Sequence, residues 1–182
     1  MIVEEKTLST ERIYEGAILN LRIDKVTVRD GRTSYREIVE HGGGVAVAAL
    51  TNDGKLLMVR QFRKSAEAAV LEVPAGKTER GETDLQAVAE RELKEETGYT
   101  AGHIEYVTAF YTSIGYSTEK LHLYLATDLT PGETDFDENE AIENCAYTPD
   151  ELLAMIENGE IEDAKTILAI QMVKLRQLAG TL

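Results

Sequence analysis

A chain of 182 residues, 43% hydrophobic and 29% charged, has the size and composition of one ordinary globular domain with room for a small appendage. Its formal net charge of −14 argues against nucleic acid as a partner, because a phosphate backbone is repelled unless a basic patch compensates, and no run of lysine and arginine supplies one. No apolar run reaches bilayer length, the opening MIVEEKTLSTER lacks the basic and apolar regions of a signal peptide, and the single Cys145 excludes an internal disulfide framework. No membrane partner and a cytoplasmic location are therefore expected.

From Thr7 to Val39 apolar and polar residues alternate, as in Leu21, Ile23, Val26 and Val28, and Asp30-Gly31 supplies a turn; this stretch reads as strands and a hairpin. Gly42-Gly43-Gly44 then breaks the pattern. With no helix and no Gly-Lys-Ser/Thr after it, the triple glycine reads as a hinge or turn rather than a phosphate loop. Val45–Leu50 and Lys55–Arg60 follow as two strand-like runs joined by Thr51-Asn52-Asp53-Gly54, which predicts a second hairpin. Val70–Val73 is a short strand ended by Pro74. Thr83–Thr97 reads as a helix, with Thr83 and Gln86 spaced as a capping box and Gly98 as the stop. Strands are expected at Ile104–Tyr111 and Lys120–Thr127, and an exposed acidic loop over Gly132–Glu143. Two helices close the chain, one opened by Thr148-Pro149-Asp150-Glu151 and a longer one opened by Asp163. Strands mixed with three helices imply an α/β or α+β sandwich, which periodicity alone does not separate.

The helix over 83–97 carries charges on the wrong face. At about 100° per residue, Leu85, Val88, Ala89 and Leu93 gather on one side and Gln86, Ala87, Glu90 and Lys94 on the other, where Glu90 and Lys94 are spaced as a surface ion pair. Glu92 and Glu96 project along the apolar stripe, and Glu95 sits at its edge. Carboxylates at such spacing repel one another and resist desolvation unless cations lie between them. A donor set of carboxylate oxygens suits Mg²⁺ or Mn²⁺ better than zinc.

Reading on from Pro74, the chain runs Gly76, five residues, Glu82, eight residues, then Arg91-Glu92-Leu93-Lys94-Glu95-Glu96-Thr97-Gly98-Tyr99. This resembles the signature box of the Nudix hydrolases at every charged and glycine position. It departs in two places. The gap after Glu82 is one residue longer than usual, which lengthens the loop or first turn before the helix, and Tyr99 stands for an aliphatic residue. The resemblance implies a Nudix α/β/α sandwich with a mixed sheet. It also implies that Glu92, Glu95, Glu96 and the Ala75 carbonyl hold metal beside a pyrophosphate, that Gly76 permits close approach of backbone, and that Arg91 orients the carboxylates.

Outside the box the chain is most similar to the ADP-ribose pyrophosphatase group, through Arg36–His41, Arg60–Arg63, Glu72–Gly76, Ser113–Glu119 and Asp163–Thr166. That likeness implies residues 1–41 as a small β domain exchanged across a homodimer and residues 42–182 as the hydrolase domain. It implies Arg36 and Glu40 at the adenosine, Arg63 at phosphate and Glu119 at the terminal ribose. Asp137-Glu138-Asn139-Glu140 looks like the catalytic loop, with Glu138 as general base beside Glu95 and Arg91, and Glu140 as a further metal ligand. The activity implied is Mg²⁺-dependent hydrolysis of ADP-ribose to AMP and ribose 5-phosphate. Ile114, where proline is usual, keeps open a nucleotide sugar such as GDP-mannose or another ADP-sugar. A sensor that binds ADP-ribose without cutting it is the other alternative.

Overall fold

The structure is a computed structural model that describes residues 3–79, 81–134 and 141–182, and it divides into two compact units. The first joins Met1–Gly43 to Phe110–Lys120. Here β1 (Lys6–Glu15), β2 (Leu19–Thr27) and β3 (Thr33–His41) form an antiparallel sheet in that order, with Leu19 opposite His41 and Lys6 opposite Thr27. All of β1 is exposed, including Leu8, Ile13 and Tyr14, whereas Asp24 and Val26 of β2 are buried. The turn Ser113–Ser117 docks on β3 through backbone bonds, Val39 N to Tyr116 O at 2.8 Å and Thr118 N to Val39 O at 2.9 Å. These bonds tie 110–120 to the N-terminal strands. Of the three glycines after β3, Gly43 is the turn residue: its φ is +81°, and a Cβ there would press on the Lys120 carbonyl.

The second unit comprises Gly44–Ala109 and Leu121–Leu182. Its main sheet is mixed, ordered β7 (Ala75–Lys77), β4 (Gly44–Ala49), β9 (Lys120–Thr130), β8 (Thr100–Tyr111), with β4 parallel to β9 and antiparallel to β7. Every residue of β4 is buried, as a strand covered on both faces requires. Val45, Val47 and Ala49 pack with Val88, Ala89 and Leu93 of α1 (Leu85–Thr97). On the other face Ala48, Leu123 and Leu125 gather with Ala169 and Val173 of α3 (Ala164–Ala179). The result is a helix–sheet–helix layering. A second, antiparallel sheet is ordered β10 (Ile142–Tyr147), β5 (Leu56–Arg63), β6 (Ala68–Glu72), and α2 (Pro149–Glu157) packs on α3.

Several expectations need correction. The turn over 51–54 does form, with Thr51 N to Lys55 O at 2.8 Å and a bridge from Leu50 to Leu56. It does not make a hairpin, because β4 and β5 diverge at once into different sheets, each better paired elsewhere. The strands β7 and β10 fell outside the sequence reading; β7 has only three residues, and β10 begins inside the segment taken as loop. The α1 cap is Asp84, accepting from Ala87 N at 3.1 Å, not Thr83. The additional residue after Glu82 is thus absorbed before the helix. Glu90 accepts from Gln86 at 3.1 Å rather than pairing with Lys94. Among the described residues no helix is long and apolar enough to cross a membrane.

Candidate active site

The site in the second unit is built on the segment that leaves β6 and enters β7. Val73-Pro74-Ala75-Gly76 is pinned from three directions. Val73 N donates to Thr166 Oγ1 at 3.0 Å, Val47 N donates to the Pro74 carbonyl at 2.8 Å, and Ala75 N donates to Glu96 Oε2 at 3.0 Å. A loop held this way presents its backbone in one conformation, which is what a chelating or phosphate-facing backbone needs.

α1 delivers the carboxylates. Its apolar stripe is anchored by Val88, Ala89 and Leu93, each at most 2% exposed, and burial of the two larger side chains stabilises the helix by about 1.5–3 kcal/mol each. Anchoring that stripe carries the inward glutamates with it: Glu96 is 5% exposed and the Glu92 side chain 12%, while Glu95 at the edge keeps 37%. The Glu92 carboxylate lies against Gly76, where a Cβ would overlap it. Glycine is required there for space, since its φ is not among the positive ones.

Arg91 lies among the glutamates. Its Nη1 is 2.9 Å from Glu92 Oε1 and 2.8 Å from Glu95 Oε2, and its Nη2 is 3.6 Å from Glu82. The last distance is a charge contact rather than a hydrogen bond, consistent with Nη2 being buried without an acceptor. Partial burial draws the Arg91 pKa down, yet the charges of Glu92, Glu95 and Glu82 together raise it above its ordinary value. One guanidinium therefore serves three carboxylates, and negative charge is in excess. Glu82 is fixed within its own loop, where Glu79 N donates to Glu82 Oε2 at 2.6 Å and Glu82 N donates back to Glu79 O at 3.1 Å.

These residues fit a hard divalent cation. The donors are carboxylate oxygens on a rigid frame, and the space beside Glu92 exists only because Gly76 lacks a side chain. Among the described residues, no three His, Cys, Asp or Glu side chains already stand in a metal-holding arrangement, and the Arg91 contacts account for how Glu82, Glu92 and Glu95 are oriented.

The other candidates fall as follows. Arg63, the last residue of β5, donates from Nε to Glu72 Oε2 at 2.7 Å. In the first unit Arg36 pairs with Glu5, and Glu40 pairs with Arg12 and, at 3.3 Å, with Arg22. Glu119, also in that unit, accepts from Thr112 Oγ1 at 2.6 Å and lies 3.4 Å from His41 Nδ1. Ile114 is 74% exposed in the neighbouring turn. Glu138 and Glu140 lie outside the described residues. Glu72, Lys165 and His41 fall outside the residues to which the motifs assign roles. A glutamate one residue before Val73-Pro74, at the end of an apolar strand, was the available signal for Glu72.

The NUDIX domain model matches residues 40–170. The chain is 45% identical over 177 residues to an ADP-ribose pyrophosphatase of Bacillus subtilis (strain 168), covering 96% of this chain and 95% of that one. It is 44% identical over 178 residues to a methanol dehydrogenase activator of Bacillus methanolicus, with 97% and 96% covered. A crystal structure of an ADP compounds hydrolase superposes with a TM-score of 0.85 at 20% identity, over 100% of this chain and 99% of that one, and shows the shared fold. With the domain model spanning most of the chain and the Bacillus subtilis relative nearly all of it, this chain belongs to the Nudix hydrolase family.

Proposed function

We propose that the chain hydrolyses the pyrophosphate bond of ADP-ribose, giving AMP and ribose 5-phosphate, as a Mg²⁺-dependent cytoplasmic enzyme. The observation that carries this reading is the convergence of Glu92 on Gly76 and of Glu96 on Ala75 N, with Arg91 spanning Glu82, Glu92 and Glu95. The 45% identity to an ADP-ribose pyrophosphatase supports the substrate.

In this reading Glu92, Glu95, Glu96 and the Ala75 carbonyl hold Mg²⁺, or Mn²⁺ in its place, and the family resemblance adds Glu140. Such a cation neutralises the diphosphate and lowers the pKa of a bound water. Arg91 keeps neighbouring carboxylates apart and oriented, and Gly76 gives backbone access. Arg63 binds a phosphate through its terminal guanidinium nitrogens. Glu138, again by resemblance, takes the proton of the attacking water. Glu119 accepts from the hydroxyls of the terminal ribose, and Arg36 and Glu40 meet the adenosine. We assign residues 1–41 to dimerisation, with that segment exchanged so that Arg36 and Glu40 come from the partner subunit. The fully exposed β1, with Leu8, Ile13 and Tyr14 on its surface, supports a sheet that is covered in a dimer. Ile114 in place of the usual proline favours a second reading, a nucleotide sugar such as GDP-mannose.

The test is a panel of ADP-ribose, GDP-mannose and diadenosine polyphosphates, each incubated with protein and Mg²⁺ and assayed for mononucleotide, on material whose mass in solution is measured in parallel. The expected result is AMP from ADP-ribose at the highest kcat/KM, in a species of twice the chain mass. A GMP product formed faster from GDP-mannose would move the assignment to nucleotide sugars. No turnover of any compound would favour a sensor, and a fully active monomer would remove the exchanged domain.

A further inference from the structure

One buried polar cluster of the second unit joins Arg63 to two residues, Glu72 and Lys165, that have no part in the roles assigned above. Glu72, at the end of β6, has a side chain only 5% exposed, and two cations meet it: Arg63 Nε at 2.7 Å from Oε2 and Lys165 Nζ at 2.6 Å from Oε1. Lys165 is 11% exposed and also donates to Asp163 Oδ2 at 3.0 Å. That same oxygen caps α3, accepting from Thr166 N at 3.0 Å and from Thr166 Oγ1 at 2.6 Å. Thr166 Oγ1 in turn accepts from Val73 N.

We propose that Glu72 and Lys165 are positioning residues for the hydrolysis: together they hold Arg63 by its Nε alone, so that both terminal nitrogens of the guanidinium remain available to a substrate phosphate. The inference rests on the reading above in which Arg63 is a phosphate contact.

Glu72 lies opposite Val59 in the β5–β6 pairing, and Arg63 opposite Ala68, so Arg63 and Glu72 point to one face of the hairpin but lie several residues apart along it. Arg63 must reach back along the strand to make its bond. Left alone with a carboxylate, an arginine fork tends to engage both oxygens through two parallel N–H bonds, which would consume at least one terminal nitrogen. Lys165, 2.6 Å from Oε1, competes with a second arginine N–H for that oxygen. The remaining oxygen meets Nε, and the orientation of the guanidinium is set by a bond that does not use the phosphate-binding end.

Exposure rises outward along the cluster, from 5% at Glu72 to 40% at the Arg63 side chain. Glu72 and Lys165 balance in charge, and Arg63, the most exposed member, is held from the buried side. An unrestrained arginine loses rotamer entropy when it is fixed on a ligand. A guanidinium already fixed by Glu72 gives up less, and the benefit appears as substrate affinity. The same cluster reaches Val73 N, so the loop carrying Ala75 and Gly76 and the cation flanking it are fixed by one set of bonds.

The experiment measures ADP-ribose hydrolysis with Mg²⁺ by wild-type protein, Lys165→Met, Lys165→Arg, Arg63→Ala and the double variant Arg63→Ala/Lys165→Met, with thermal melting of each. Lys165→Met keeps the aliphatic stem and frees Oε1. Its KM is expected to rise about tenfold with kcat little changed, the range seen when outer-shell partners are removed. Lys165→Arg should recover most of that loss. In the Arg63→Ala background the same substitution should change KM less than about twofold. A lowered melting temperature with unchanged KM, or an equal KM rise with and without Arg63, overturns the inference and leaves the cluster purely structural. Should Lys165→Met not fold, Glu72→Gln is measured in the same way, with the same expected rise and the same overturning result. Inactive wild-type protein overturns the proposed hydrolysis and this inference together, whereas active wild-type protein with an unaffected variant overturns this inference alone.

Discussion

Two charged clusters flank the loop from Val73 to Gly76, and they use the same residue types in inverse proportion. Around Glu72 one carboxylate meets two cations at 2.6 and 2.7 Å. Around Arg91 one cation meets three carboxylates between 2.8 and 3.6 Å. The first cluster is balanced once Asp163 is counted, and a balanced buried cluster is satisfied by the fold itself. The second holds more negative charge than its own side chains neutralise, and it lies against a glycine that leaves room beside it. Charge balance marks the part of the molecule that holds the frame, and charge excess marks the part to which the proposed function assigns a cationic ligand.

The contrast can be broken from either side. The largest effect is expected at Glu72, whose removal leaves Lys165 buried beside a lost partner. Glu72→Ala should cost about 3–5 kcal/mol of stability, read from denaturant unfolding, and a cost below about 1 kcal/mol would mean the cluster is not integral to the fold. Glu96→Gln should act the opposite way. The amide oxygen can still accept from Ala75 N, so melting should be unchanged or slightly raised as repulsion is relieved. Hydrolysis should fall by more than about a hundredfold, beyond the loss seen for an outer-shell partner. Undiminished turnover would discredit the carboxylate site. Gly76→Ala sharpens the comparison further. The backbone there is open to any residue, so the fold should persist within about 1 kcal/mol. The methyl group must displace the Glu92 carboxylate, which is the mobile end of a side chain, and we expect roughly a tenfold loss of kcat. A Gly76→Ala protein with full activity would show that the position of Glu92 is unimportant.

Much of this was legible in local patterns. The period of Leu85, Val88, Ala89 and Leu93 was enough to orient α1, and that orientation alone carried Glu92 and Glu96 inward and left Glu95 at the rim. The stop at Gly98 depends on a left-handed backbone whose N–H bonds back to Lys94 O, the starts at Thr148 and Asp163 on side chains that accept from the backbone three residues on, and all three hold. The cap of α1 was misread by one residue because Thr83 and Asp84 are both competent acceptors, and the choice depends on where the longer loop after Glu82 runs out. The failed hairpin at 51–54 is a different kind of miss. The turn chemistry was right, but pairing partners for β4 lie at 75–77 and 121–126, and no pattern near residue 50 encodes them.

The sequence by itself determined which face of α1 is apolar, where α1 stops, where α2 and α3 start, and that α1 carries glutamates on the face meant for the core. Those features depend on neighbours a turn away, so they can be read without a fold. Only the tertiary structure decided what the glutamates meet. Glu96 reaches Ala75 across 21 residues, and Lys165 reaches Glu72 across 93. Such contacts exist because the sheet places chain segments side by side whose order in sequence carries no record of that distance.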